Sequence, residues 1–217
     1  LHALYGYIKE EISSERLASE ASEIEIDILN EPIGKQDQYA AAVGGLNVIR
    51  FLSSGEVKVE PIQMHPTAYN KLQDNLLLFY SGITRKASDV LNDQKKKLIS
   101  EQEKFDSTFQ MTQLVDTAIN YLYDSDLDGF GKTLDENWIL KRSLSDRISN
   151  KIIDEIYSTA KKNGALGGKI LGAGGGGFLL FYCRKENQDK LRNALKGLRE
   201  VDYKFDKVGT RIIYNEK

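Results

Sequence analysis

The chain has 217 residues, 41% of them hydrophobic and 29% charged, with a formal net charge of −2. That balance suits one large or two small globular domains with a real core, and its well-mixed signs argue against a general nucleic-acid or anionic-membrane surface. With Cys183 as the sole cysteine and only His2 and His65 as histidines, an internal disulfide and a cysteine zinc cluster are excluded, a histidine-rich metal site has little to build on, and a reducing compartment fits.

In chain order, "LHALYGYIKEE" places Leu1, Leu4, Tyr5 and Ile8 on one helical face. It reads as a helix already in progress, because no cap precedes it and Leu1 is not a methionine. The chain is therefore expected to begin inside a longer protein. "SSERLASEASEIEIDIL" predicts a capped helix with Ala18, Ala21, Ile24 and Ile28 at helical spacing. "NEPIG" breaks it, and "QDQYAAAVGG" predicts a short helix ending at Gly44-Gly45. "LNVIRFL" and "EVKVEPI" around "SSG" predict a β-hairpin. Pro66 opens a further helix, and "NLLLFYSG" reads as a buried strand.

From Lys86 to about Asn163 no strand is convincing: "ASDVLNDQKKKLISEQEKFDSTFQMTQLVDTAINYLY" predicts one long helix, and "LDGFGKTLDENWILKRSL" and "SDRISNKIIDEIYSTAKKNG" predict two more. The basic run Lys95–Lys97 reads as a solvated helix face. "ALGGKILGAGGGGFLLFYC" then predicts strand, glycine loop and strand, "ENQDKLRNALKGL" an amphipathic helix, and "DYKFDKVGTRIIY" one or two final strands. No run is apolar enough to suggest a membrane span, and no signal peptide is visible. Strands on both sides of a helical middle segment predict an α+β fold, a mainly antiparallel sheet with helices packed on one face.

Two segments bear on chemistry. "GAGGGG", Gly172 to Gly177, has few steric limits, and its successive N–H groups can form an anion-binding concavity; a plain flexible hairpin is the alternative. No Lys-Ser or Lys-Thr follows, so it is not a Walker loop, and a strand rather than a helix follows, so it is not a Rossmann fingerprint. Lys169 lies just before it, aimed either at solvent or at a phosphate. In "PIGKQDQYAAAVGG", Asp37 sits at a helix start between two glutamines. There it either caps the helix or sits in its first turn, stabilised by the helix dipole, or it orients a substrate hydroxyl or accepts its proton. Glu23 and Glu25 on the preceding helix could supply a carboxylate to a metal.

Together these segments resemble the GHMP kinase superfamily, which includes galactokinase and mevalonate kinase. "EIDILNEPIGKQDQ" resembles the galactokinase-type stretch ending in Asp-Gln, and "GGKILGAGGGGFLLF" resembles the family's third glycine motif. "LLLFYSGITRKASDVL", "NWILKRSLSDRIS" and "GKQDQYAAAVGGLN" resemble a narrower branch, the D-glycero-D-manno-heptose 7-phosphate kinases. The resemblance implies Asp37 as the catalytic carboxylate and Glu25 as the residue near Mg²⁺. Gly172, Ala173, Gly174, Gly175, Gly176 and Gly177 would shape the phosphate and substrate site. Arg85 and Lys141 match basic positions of the branch and are expected to grip the sugar's phosphate, although Arg85 could equally be a surface ion-pair residue.

The implied activity is ATP-dependent phosphorylation of the anomeric hydroxyl of a heptose 7-phosphate, with ATP and Mg²⁺ as cofactors. A cytoplasmic location follows, with a small sugar phosphate as partner and neither nucleic acid nor membrane. A fucose or galactose kinase is the nearest alternative, and a non-catalytic sugar-binding relative the next. The resemblance divides the chain into 1–64, the end of the N-terminal kinase domain, and 65–217, the C-terminal domain. The family's first motif and its Pro-x-x-x-Gly-Leu-Gly-Ser-Ser-type motif would precede Leu1, so weak or absent independent ATP binding is expected of this chain.

Overall fold

A computed structural model describes residues 1–214 as two compact units. One comprises Leu1–Ile62 together with the chain from Lys204 onward; the other comprises Gln63–Tyr203.

The first unit opens with α1 (His2–Tyr7), which leaves Leu4 and Ile8 exposed while Tyr5 packs inward. α2 (Ser14–Glu23) starts where the Ser13 hydroxyl accepts the Arg16 N–H, an ordinary serine cap. It runs into a wider turn, Ile24–Ile28, closed by a bond from the Leu29 N–H to the Ile24 carbonyl at 2.9 Å. α3 (Gln36–Val43) packs on α2, burying Leu17 and Ala18 against Tyr39 and Ala42. β1 (Asn47–Phe51) and β2 (Val57–Pro61) form the antiparallel hairpin, with Ile49, Val57 and Val59 facing the same core.

The predicted final strands are not formed: no strand follows Glu200 among the described residues. The backbone instead ties onto the end of α3, where the Thr210 N–H reaches the Ala41 carbonyl at 3.0 Å and the Gly45 N–H reaches the Asp206 carbonyl at 2.7 Å. Helix-end carbonyls lack intrahelical donors, and this segment supplies one. A Cβ on Gly44 would lie 1.9 Å from the Gly209 nitrogen, so the close approach depends on glycine.

The second unit begins with α4 (Pro66–Asn75), with proline in its first turn, leading directly into β3 (Leu76–Tyr80). α5 (Ala87–Ser100) and α6 (Gln102–Tyr123) replace the single long helix predicted, because Glu101 is extended at φ −124° and ψ 107°. The break lets α6 lie along α7 (Leu127–Ser143), so packing overrides a propensity that favours continuous helix. α8 (Lys151–Lys162) begins later than predicted, at an Asn150 cap whose side chain accepts the Ile153 N–H at 3.1 Å. β4 (Ala165–Ile170) and β5 (Phe178–Cys183) flank the glycine loop; α9 (Gln188–Ala194) and β6 (Arg199–Glu200) complete the unit.

The sheet is antiparallel throughout, in the order β4-β5-β3-β6. Trp138 of α7, Ile153, Tyr157 and Ala160 of α8, and Phe79, Leu179 and Phe181 of the sheet share one buried core. The α+β expectation, helices against a mainly antiparallel sheet, is met. No described helix is long and apolar enough to cross a membrane.

Candidate active site

The sequence-predicted residues fall into two groups, one in each unit. In the first unit, Asp37 occupies the first turn of α3 and is exposed. It is not the cap. Lys35 holds the N-cap position, no side chain caps the helix, and no described residue hydrogen-bonds the Asp37 carboxylate. Both of its oxygens therefore remain available to a ligand.

Glu25 belongs to the wide turn Ile24–Ile28. Such single-turn expansions change which side chains share a face and recur at functional sites. Here the result is that Glu25, Asp37 and Gln38 line one cavity of about 560 Å³, walled by Leu17, Ala21 and Ile33. The Gln38 amide donates to one oxygen of Glu25. Gln38 Oε1 is buried with no donor among the described residues, leaving an acceptor for a ligand hydroxyl.

Among the described residues no group of three or more acidic, histidine or cysteine side chains could hold a metal by itself. The donor set suits Mg²⁺ nonetheless, because that ion is commonly held by one or two carboxylates plus substrate phosphates, and one oxygen of Glu25 is unbonded among the described residues. Neither Gln38 nor the wide turn was foreseen. The glutamine was visible in the sequence beside Asp37, but the turn has no sequence signal.

In the second unit the glycine loop is clamped between two segments. The Gly175 N–H donates to the Ile148 carbonyl and the Gly177 N–H to the Ile83 carbonyl, both at 2.8 Å. At Gly175 (φ +76°) a Cβ would lie 2.9 Å from the Arg147 carbonyl, and at Gly176 a Cβ would lie 2.5 Å from the Ile83 carbonyl. Side chains there would push the loop off both supports. The N–H groups of Gly172, Ala173, Gly174 and Gly176 have no acceptor among the described residues. Unpaired loop amides of this kind bind anions.

Both basic residues singled out in the sequence lie against this loop. Lys141, in the last turn of α7, donates to the Gly172 carbonyl at 2.7 Å. The Arg85 side chain packs against Gly175, with Cδ 3.2 Å from where a Cβ would sit. Arg85 is exposed and has no ion-pair partner among the described residues, so the surface salt-bridge alternative is not realised. Lys169, opposite Leu180 in β4, is half-buried without a described partner, and burial pushes its ammonium pKa down. Lys97 departs from the solvated-face expectation, lying 3.3 Å from Asp146 and 3.7 Å from Asp93, while Lys95 and Lys96 stay exposed.

A separate cavity of about 600 Å³ lies at the other end of β5. Three of its polar side chains are linked around Asp128. Asn75 donates to the Tyr182 hydroxyl at 2.9 Å, that hydroxyl donates to Asp128 at 3.2 Å, and Arg184 pairs with Asp128. Burial pushes the Tyr182 hydroxyl up to about 12.

Residues 118–199 match the family described as GHMP kinases C terminal. This part of the chain is therefore a GHMP kinase C-terminal domain, and the fold is that of these kinases. The chain is 31% identical over 200 residues to the D-glycero-alpha-D-manno-heptose 7-phosphate kinase of Campylobacter jejuni, covering 90% of this chain and 58% of that protein. It is 27% identical over 185 residues to the bifunctional fucokinase/GDP-fucose pyrophosphorylase of Arabidopsis thaliana, covering 82% of this chain and 17% of that one. A crystal structure of a candidate sugar kinase from Campylobacter jejuni superposes with a TM-score of 0.68 at 27% identity, covering 95% of this chain and 59% of that one. The chain thus spans a little over half the length of the heptose kinase it matches.

Proposed function

We propose that this chain is part of an ATP-dependent sugar kinase that phosphorylates the anomeric hydroxyl of a heptose 7-phosphate. The observation that carries the reading is the unbonded Asp37 carboxylate at the start of α3, sharing a cavity with Glu25. Asp37 orients the sugar hydroxyl and accepts its proton as the oxygen bonds to the γ-phosphorus and ADP departs. Gln38 steadies Glu25 and leaves it an oxygen for Mg²⁺, which when bound would neutralise phosphate charge. The unpaired amides of the glycine loop, with Arg85 and Lys141, supply donors and positive charge for phosphate oxygens.

The test is ADP release from ATP and Mg²⁺ by the gene product that carries this chain, across heptose 7-phosphate, fucose and galactose. Release that requires heptose 7-phosphate is expected. Release with fucose instead would favour a second reading, a fucokinase, which the Arabidopsis relative supports. Absence of release with every sugar would leave a binding protein without kinase activity.

A further inference from the structure

The unpaired loop amides and Arg85 leave one neighbour unassigned. Arg147 lies in the turn between α7 and α8, and its backbone carbonyl abuts Gly175. The adjacent Ile148 carbonyl holds the Gly175 N–H at 2.8 Å, and the Asn150 amide reaches the Gly175 carbonyl at 3.4 Å. Arg85 contacts the same glycine from the segment before α5. The backbones that clamp the loop therefore bring an arginine to it from each supporting segment.

The Arg147 guanidinium is only loosely engaged. Its one described carboxylate neighbour is Asp93, with Nε 4.0 Å from Oδ1, and its side chain is 57% exposed. Asp93 has better partners: the Ser145 hydroxyl donates to it, and Lys97 lies 3.7 Å away. The Ser145 bond, aided by Lys97 and Arg147, holds the Asp93 carboxyl below its ordinary range. Swinging Arg147 onto a ligand thus leaves Asp93 bonded and compensated. Arg85 has no carboxylate partner among the described residues.

We infer that Arg147 is a second specificity-determining residue of the glycine-loop site, acting with Arg85 to bind the phosphate monoester that the sugar substrate already carries. Two planar guanidinium groups can each offer paired N–H donors to one phosphate, a gain that an unphosphorylated sugar cannot collect. The inference rests on the sugar-phosphate reading above and deepens it, because it assigns the discrimination between phosphorylated and free sugars to this pair.

The test is titration calorimetry on the gene product that carries this chain, with three probes: D-glycero-D-manno-heptose 7-phosphate, the same heptose without phosphate, and ADP. Arg147→Gln is expected to weaken the sugar phosphate by roughly ten- to a hundredfold, the usual worth of a charged hydrogen bond. Affinity for the free heptose should change less than twofold, and Arg147→Lys should fall between wild type and Arg147→Gln. Unchanged thermal unfolding of the variants would show that the loss is not one of folding. Three results would overturn the assignment: no preference of the wild-type protein for the phosphorylated sugar, no loss on Arg147→Gln, or an equal loss for ADP. Failure of the kinase reading looks different, since phosphate-dependent binding would then persist in a protein that releases no ADP.

Discussion

At the scale of single residues, Asp37 is the most exposed to test. It makes no cap bond and no ion pair among the described residues, so replacing it removes chemistry and little structure. Asp37→Asn is expected to lower kcat for ADP release by roughly 10²- to 10⁴-fold, the range for a positioned acid or base, with the sugar KM changed far less. Turnover within twofold of wild type would remove Asp37 from the mechanism. Lys169 makes a prediction about pH. Its folded pKa lies below the ordinary lysine value because burial disfavours the charge. Between those two pKa values the unfolded chain binds more protons, so stability rises with pH. Lys169→Met is therefore expected to be more stable than wild type at neutral pH, with the gap closing as pH climbs toward the ordinary lysine value. Denaturation midpoints measured at pH 7 and pH 10 for both proteins would decide it; a constant gap would mean the ammonium carries no burial penalty.

At the scale of elements, the glycine loop joins sequence to function through close packing. Gly176→Ala places a methyl 2.5 Å from the Ile83 carbonyl. Relieving that overlap costs about 1–3 kcal/mol and shifts the loop amides. Gly197 has nothing within 4 Å of its would-be Cβ, so Gly197→Ala serves as the neutral control. Thermal melts should separate the two variants; equal melting temperatures would show that the loop yields freely. Trp138 is fully buried, and its indole N–H has no acceptor among the described residues. Trp138→Phe should thus cost much less than the roughly 3–5 kcal/mol expected of Trp138→Ala, and urea titration of both variants would check it. The elements with clear local signals, caps, glycine stops, turns or apolar runs, were legible in the sequence: α2, α3, the β1–β2 hairpin, β3, and the β4-loop-β5 segment. Glu101 and the segment 145–150 were not, because helix propensity is indifferent there and the decision came from α6 packing on α7 and from the Ile148 carbonyl capturing the loop.

At the scale of the whole molecule, the unit Gln63–Tyr203 contains its own core from Leu77 to Leu195. Expressed as residues 63–203, it is expected to unfold in one cooperative transition, as a domain with a single core does. A broad, non-cooperative melt would mean that its stability is borrowed from elsewhere in the chain. What the sequence by itself determined is local and periodic: the helix caps, the hairpin, the buried strands, the glycine loop between two strands, and Asp37 at a helix start. Its motifs also pointed to the GHMP kinases, which the match over residues 118–199 bears out. Only the tertiary structure decided that Glu25 turns into the cavity with Asp37, that the side chains of Arg85 and Lys141 and the backbone of Arg147 meet one loop, and that the chain after Lys204 ties onto α3 instead of forming strands. The physical reason is the same in each case. Spacing along the chain fixes which face a side chain occupies, whereas convergence of distant segments depends on which backbone donors and acceptors remain unpaired once the core has packed.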